Sequence, residues 1–321
     1  MTALEKLLVL LGPTASGKTA LSIQLAHALD TEIISGDSML VYRDFNIGTA
    51  KPTCQEMEGI PHHMVDILPP DASFNLMDFL TQVKGIITRL NQAGKIPLLV
   101  GGTGLYIQSL LEGYELNQQQ EDSEYRRKLE ELAETKGREY VHAMLAKVNS
   151  EAAARLHPND LRRVIRALEV HHLGGSEVSR SKIGHSYDAY VAGLGWERSQ
   201  LYDRINQRVD IMLQQGLKQE LQKLVTAGVP LDCQAMKGIG YKEMLPVIQA
   251  GENTPEFVAA VEKIKQNSRH FAKRQLTWYR RMSYIHWYQP ALYKDTEGLA
   301  SNMLWDIRRW LNKEVGENNH D

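Results

Sequence analysis

Leu7-Leu-Val-Leu-Leu11 runs directly into Gly12-Pro-Thr-Ala-Ser-Gly-Lys-Thr19, and Lys18 to Leu29 follows with Leu21, Leu25, Ala26 and Leu29 at helical spacing. A continuous apolar run that stops at a glycine reads as a fully buried parallel strand. The residues from Gly12 match G-x-x-x-x-G-K-[ST] between a strand and a helix, the context that gives this motif its meaning. Glycines let backbone N–H groups turn toward an anion at the positive end of the helix. Lys18 adds a point charge, and Thr19 can offer its hydroxyl to Mg²⁺. Gly12, Pro13, Thr14, Ala15, Ser16, Gly17, Lys18 and Thr19 are therefore the expected cradle for a di- or triphosphate.

Working outward, Glu32-Ile-Ile-Ser35 reads as a second strand ending at Gly36-Asp37. Ser73 to Ala93 carries a helical apolar pattern with Gly94 placed to end it. Ile96-Pro-Leu-Leu-Val100 reads as a third strand, running into Gly101-Gly-Thr-Gly104. Strands alternating with helices predict a parallel sheet with helices on both faces. Ligands of such sheets sit at the carboxyl ends of the strands. Gly12, Asp37 and Thr103 all follow such ends, so one site can hold them together. From about Gly113 the pattern changes: Asn117-Gln-Gln-Gln120 reads as a linker, helical charge-rich segments follow, and Ser176 to Gly195 is irregular. From Gln200 the chain reads as helical to about Val315, with a polar tail over 316–321.

The chain has 321 residues, 43% of them hydrophobic, with 37 Lys+Arg against 39 Asp+Glu. That length exceeds a comfortable single core and predicts a second unit or a large insertion. The ordinary charge content argues against disorder. Cys54 and Cys233, the two cysteines, cannot build a disulfide framework or a Cys-rich zinc site, which fits a cytoplasmic home. The longest apolar run, Leu7 to Leu11, is too short to span a bilayer.

An NTPase usually carries an Asp at the end of a second strand to hold its metal. The strand placed for it here ends in Gly-Gly-Thr, and Asp37 is the carboxylate available at a strand end. Gly36-Asp-Ser-Met-Leu-Val-Tyr-Arg43, Ile47-Gly-Thr-Ala-Lys-Pro52 and Gly101-Gly-Thr-Gly-Leu-Tyr106 join the phosphate loop in one half of the chain. His157-Pro-Asn-Asp160 with Arg162, Arg163 and Arg166, then Arg204 and Arg208, Gly240-Tyr241 and Lys273-Arg-Gln-Leu-Thr-Trp278 follow in order. Together these motifs resemble the bacterial tRNA dimethylallyltransferases, also called tRNA isopentenyltransferases, over nearly the whole chain. Leu40 stands where many members carry Gln.

The resemblance implies a P-loop NTPase-like α/β core with a parallel sheet flanked by helices and a helical insertion domain. Its expected limits are 1–112 plus 194–315 for the catalytic core, 113–193 for a tRNA-binding insertion and 316–321 for a tail. It implies transfer of a dimethylallyl group from dimethylallyl diphosphate to N6 of the adenosine just 3′ of the anticodon, in tRNAs reading codons that begin with U. The rivals are an isopentenyltransferase of free adenine nucleotides, a P-loop kinase of a small metabolite and an RNA-binding protein without chemistry.

An adenine N6 amine is a poor nucleophile and needs a base as the C–N bond forms; Asp37 is the candidate. A metal ligand or helix cap is the alternative reading of that residue. Loop amides, Lys18, Mg²⁺ on Thr19 and arginines would neutralise the departing diphosphate. Arg204 and Arg208 border the apolar stripe Leu201, Ile205, Val209, Leu213 and Leu217, and the resemblance gives Arg208 the diphosphate. Thr103, beside glycines read as flexible, could bond the base or Asp37.

The target base must leave its stack to reach a buried carboxylate, with tRNA and donor approaching from opposite ends of one channel. For tRNA the resemblance implies Asp37, Ser38, Met39, Leu40, Thr103, Arg126, Arg162, Arg163, Arg166, Lys237, Gly240, Tyr241, Lys242, Lys273, Arg274, Gln275, Thr277, Trp278 and Arg280. Lys263 to Arg281 is basic without an acidic residue, and Trp278 and Tyr279 offer stacking surfaces; a solvated helix face is the plainer reading. Asn159 or Asp160 is expected to cap the helix bearing Arg162. The protein is expected to act as a monomer, on the anticodon stem-loop, with no membrane partner.

Overall fold

The computed structural model describes residues 4–114, 122–174 and 186–317, with side chains to residue 312. The expected linker Asn117 to Gln120, the first half of the irregular stretch from Ser176 and most of the tail lie outside the described residues. The chain divides into one unit of Met1–Glu112 with His185–Asp321, and a second of Gly113–Gly184.

The first unit is built on β1 (Lys6–Leu11), β2 (Ile33–Ser35), β3 (His62–His63) and β4 (Leu98–Gly101), with α1 (Lys18–Leu29), α2 (Leu76–Gln92) and α3 (Gly104–Leu111) between and after them. After the second unit come β5 (Asp188–Leu194) and β6 (His286–Tyr288), which complete a parallel sheet in the order β3-β2-β4-β1-β5-β6. Central β1 is buried along Leu7–Leu11. Its alternate residues Leu8 and Leu10 pack with Leu21 and Leu25 of α1, while Leu7, Val9 and Leu11 must point to the opposite face and are buried there. Two covered faces explain why β1 reads as unbroken apolar sequence.

Local chemistry sets the helix ends. Asn75 accepts the N–H groups of Met77 and Asp78 at 2.8 and 3.2 Å, and Asp78 accepts the Asn75 N–H at 2.9 Å, a reciprocal cap that fixes the start of α2. Gly94 follows that helix at φ 74°. His63 lies in β3 and bonds Glu32 at 2.7 Å.

The second unit contains α4 (Ser123–Lys136), α5 (Arg138–Val148), α6 (Ser150–Arg155) and α7 (Leu161–His172). Its own core joins Leu129, Val141, Leu145, Ala152, Val164, Ile165 and Leu168. Glu169, fully buried, accepts from Arg126 at 2.8 Å, from the Asp122 N–H at 2.8 Å and from Arg166. A buried carboxylate demands such partners, so Arg126 and Arg166 have a structural task that their expected role on RNA did not include. Asp160 occupies the N-cap of α7 without capping a backbone N–H; its carboxylate pairs with Arg163 at 3.2 Å.

Back in the first unit, α8 (Arg198–Gln214), α9 (Leu217–Thr226), the short α10 (Tyr241–Met244), α11 (Pro255–Tyr279) and α12 (Thr296–Glu317) finish the chain. Met303 and Ile307 of α12 join the α1 side of the core. Two expectations fail here. Asp188–Leu194 is no part of an irregular insertion, because it pairs with β1 from Lys6↔Asp188 to Leu11↔Gly193. The final third also includes a strand, β6, which pairs with β5.

Tyr241, expected to meet tRNA, is 1% exposed. Its hydroxyl donates to Glu220 at 2.7 Å, and its ring lies edge-on to Phe45 with centroids 4.9 Å apart. Burial and the Glu220 charge push its hydroxyl pKa upward. The same Glu220 accepts the backbone N–H groups of Asn46, Ile47 and Gly48 at 3.0, 2.8 and 3.2 Å. A methyl group at Gly48 would lie 2.4 Å from the Tyr241 ring, so the Ile47-Gly-Thr motif is a docking turn for a buried tyrosine. Gly48→Ala is expected to lower stability by about 1–3 kcal/mol through overpacking; an unchanged denaturation midpoint would mean that the ring moves aside freely.

Candidate active site

The loop between β1 and α1 is held by side chains from four distant positions. Trp196 Nε1 donates to Ser16 O at 3.0 Å and Arg204 Nε to Ala15 O at 2.9 Å, with the guanidinium 4.4 Å over the Trp196 ring. From α11, Gln275 Oε1 accepts the Thr14 N–H at 2.9 Å and the Tyr279 hydroxyl donates to Gly12 O at 3.2 Å. Arg204 is thus a support of the loop, as its place beside the α8 stripe allowed.

Lys18 Nζ donates to Gly12 O and Pro13 O, both at 2.8 Å. Burial, then the neighbouring Arg208 charge, pull its pKa down to about 7, with Asp37 acting in the opposite direction. Burial lowers the Arg208 pKa too, again opposed by Asp37. Two half-buried cations therefore line one cavity within electrostatic reach of one carboxylate, an arrangement completed by an anion. The cavity in front of them measures about 550 Å³ and is lined by Ser16, Gly17, Lys18, Thr19, Arg204 and Arg208 among others.

Thr19 is exposed at the start of α1 on this cavity. Among the described residues no group of three or more His, Cys, Asp and Glu could hold a metal ion. A lone hydroxyl facing a phosphate cradle does fit Mg²⁺ carried mainly by substrate oxygens and water, the usual habit of that ion.

Asp37 follows β2 and is half-buried. Its Oδ1 accepts the Met39 N–H at 2.8 Å, an Asx-type turn that fixes the carboxylate; it caps no α-helix. Thr103 Oγ1 accepts the Ser38 N–H at 3.3 Å, so this hydroxyl steadies the Asp37 turn through the backbone. The glycines around Thr103 are there for close approach, not for flexibility, and none has a positive φ. A methyl at Gly101 would lie 2.5 Å from Gly36 O, at Gly102 2.4 Å from Gln275 Nε2, and at Gly104 2.5 Å from Trp278.

Gln275, expected on tRNA, is buried and bridges Thr14 N–H to Gly102 O, the latter at 2.9 Å. Tyr279 is fully buried and cannot stack on RNA; its hydroxyl reaches Gly102 O at 2.8 Å as well as Gly12. Lys265 pairs with Asp210 at 2.7 Å and Arg269 bonds Asn206 at 2.6 Å, so both serve packing against α8. What remains exposed of the basic stretch is Lys263, Gln266 and His270 nearer its start, then Lys273, Arg274, Thr277, Arg280 and Arg281. Trp278 is half-buried against Gly104, with Arg281 5.8 Å over its ring. Lys237, Lys242, Arg162 and Arg163 are exposed, Ser38, Met39 and Leu40 half-buried, and Gly240 buried. Sequence reasoning missed Trp196 and Glu220 altogether. The Leu194-Gly-Trp196 end of β5 was the available signal for the first, and Glu220 had none.

A family model described as "IPP transferase" matches residues 40–282, and a second, "Isopentenyl transferase", matches residues 5–66. A tRNA dimethylallyltransferase of Bacillus subtilis (strain 168) is 47% identical over 288 residues, 88% of this chain and 90% of its own. The solved full-length tRNA isopentenylpyrophosphate transferase of Bacillus halodurans is 41% identical over 98% of this chain and 100% of its own, with a TM-score of 0.73. A eukaryotic dimethylallyltransferase captured acting on tRNA is 31% identical over 89% of this chain and 74% of its own, with a TM-score of 0.74.

The lowered Lys18 pKa has a measurable consequence. The charged amine favours an anion, so if the cradle takes a diphosphate its affinity is expected to be full below about pH 7 and to fall by up to about tenfold per unit above it. Binding then takes up a proton, which calorimetry in buffers of different ionisation enthalpy detects. Lys18→Arg stays charged and separates this slope from the titration of diphosphate itself; matching profiles for the two proteins would remove Lys18 as the cause.

Proposed function

This chain belongs to the IPP transferase family, and from that premise we propose the reaction its site performs on tRNA. The chain is a tRNA dimethylallyltransferase that moves a dimethylallyl group from dimethylallyl diphosphate to N6 of the adenosine just 3′ of the anticodon. The observation that carries this reading is the meeting of one carboxylate, Asp37, with the half-buried Lys18 and Arg208, whose pKa values Asp37 raises. A base and a leaving-group cradle within electrostatic reach of each other are what N-prenylation needs.

The N6 lone pair attacks the allylic C1 as the C–O bond to diphosphate breaks and its electrons pass to the diphosphate oxygen. An Asp37 oxygen takes the N6 proton, leaving a neutral secondary amine. Lys18, Arg208 and the loop amides stabilise the charge gathering on diphosphate. The Thr19 hydroxyl would help hold Mg²⁺ at the cradle, and the ion would supply further neutralisation of the leaving diphosphate. Thr103 keeps the Asp37 turn in register through Ser38. The acceptor base leaves the anticodon loop stack to reach Asp37, and the donor approaches from the cavity side, so the two substrates meet from opposite directions.

The scheme calls on no residue of a second copy, and we propose that the protein acts as a monomer. No helix among the described residues is long and apolar enough to cross a membrane. The exposed Lys273, Arg274 and Arg280 on and beside α11, with Arg162 and Arg163 of the second unit, are the groups we assign to RNA phosphates.

Nucleoside mass spectrometry of tRNA incubated with protein, Mg²⁺ and dimethylallyl diphosphate tests the reaction, and a five-carbon alkenyl gain on adenosine is expected. Mass gain on free AMP alone, or consumption of ATP in place of the prenyl donor, would reject it. Asp37→Ala is expected to lower transfer by about 10²–10⁴-fold with tRNA affinity held; retained turnover would displace Asp37 as the base. Replacing Lys273 and Arg274 together by Ala is expected to weaken tRNA binding and reduce the log–log salt slope by about 1.5. An unchanged slope would take that face of α11 out of the interface.

A further inference from the structure

Two backbone carbonyls beneath the phosphate loop each accept two side-chain donors. Gly12 O accepts Lys18 Nζ at 2.8 Å and the Tyr279 hydroxyl at 3.2 Å. Gly102 O accepts the same Tyr279 hydroxyl at 2.8 Å and Gln275 Nε2 at 2.9 Å. Tyr279 has one proton, shared between the two carbonyls, and it leans toward Gly102. Gln275 and Tyr279 lie at i and i+4, on one face of α11, and both are buried.

Lys18 has three protons, and its near neighbours Gly12 O, Pro13 O and, at 3.5 Å, Ser16 Oγ all belong to the loop. To grip an arriving anion it must release at least one of them. A buried carbonyl abandoned in this way costs free energy comparable to a lost hydrogen bond. Tyr279 removes that cost for Gly12, because its proton can turn fully to Gly12 O. Gly102 O then stays satisfied by Gln275. The redundancy has no purpose in a static loop, where one donor per carbonyl is enough.

We propose that Tyr279 and Gln275 are positioning residues of the diphosphate loop, a hydrogen-bond relay that releases Lys18 from Gly12 when the donor's diphosphate binds. The proposal rests on the reading of this loop as the diphosphate holder. It predicts that the hydroxyl of Tyr279 matters to the loaded protein more than to the free one, because in the free protein Lys18 already satisfies Gly12 O.

Calorimetry of inorganic diphosphate binding tests the relay in a double-mutant cycle. Tyr279→Phe keeps the ring in its packing place and removes the proton. It is expected to bind diphosphate about tenfold more weakly, the effect of one uncompensated buried carbonyl. The KM for dimethylallyl diphosphate rises in proportion, while kcat and the KM for tRNA hold. In a Lys18→Met background no amine leaves Gly12, so adding Tyr279→Phe is expected to change diphosphate affinity by less than about twofold. Phosphorus NMR follows binding there if it falls below the calorimetric range. An equal loss in both backgrounds would show that the hydroxyl acts without Lys18, and wild-type affinity in Tyr279→Phe with a lowered thermal midpoint would leave it a purely structural bond. Either result overturns the relay while leaving the diphosphate reading intact. Failure of the unaltered protein to bind diphosphate would bring down that reading and the relay with it.

Discussion

Lys18 and Arg208 repel each other across a half-buried site, and holding them there is the constraint that the surrounding structure answers. Their pKa values both fall with burial, and Asp37 offsets this only in part. Like charges in one half-buried site are tolerated when their positions are fixed by groups that cannot relax away. Lys18 is tied to loop carbonyls, the loop to Trp196 and Arg204, and its underside to Gln275 and Tyr279 of α11. The charge cluster is therefore paid for by segments remote in sequence, which is why the chain must close a six-stranded sheet before the site exists.

That dependence also explains where an inserted unit can be tolerated. Gly113–Gly184 leaves the chain after α3 and returns before β5, and it has a core of its own around Leu129, Val141 and Val164. The entropy of closing a longer connection grows only slowly with its length. The return strand still has to find β1, and the full register from Lys6↔Asp188 to Leu11↔Gly193 does so. Immediately afterwards Trp196 docks on Ser16, so the segment that re-enters the sheet also braces the loop.

The phosphate loop, α1, α2 and strands β1, β2 and β4 were legible in the sequence because their signals are local: an apolar run, a glycine motif, a cap, a helical period. β5 was not, because Ala189, Ala192 and Gly193 are small and leave little hydrophobic contrast, and β6 is an edge strand with exposed His286 and Trp287. The sequence put Lys18, Asp37 and Thr103 beside the strand ends where the structure has them, and it misjudged burial wherever residue type stood in for direction. On α11 the sequence announces cations and aromatics but not which face is buried. Gln275 and Tyr279 turn inward with Ala272, whereas Lys273, Arg274 and Thr277 turn outward. The 3.6-residue period separates these sets, but the buried one is polar, and polarity was taken for exposure. Tyr241 was misread for the same reason, since the Glu220 that satisfies it lies 21 residues away in sequence.

The bare ends of β2 and β4 tie the chemistry to the packing. An NTPase places an acidic side chain near this strand end to hold its metal. In this chain even a methyl group at Gly101 would meet Gly36 O at 2.5 Å and one at Gly102 would meet Gln275 at 2.4 Å, so neither position has room for a carboxylate. Spreading the two strands to admit one would break the pairing of Ser35 with Val100 and the bond from the Gly36 N–H to Val100 O at 2.8 Å. The same tight crossing brings Thr103 against the Ser38 N–H and so fixes the turn that carries Asp37. The packing that leaves no place for a metal-holding acid at the end of β4 thus delivers a carboxylate at the end of β2, where the proposed reaction needs a base.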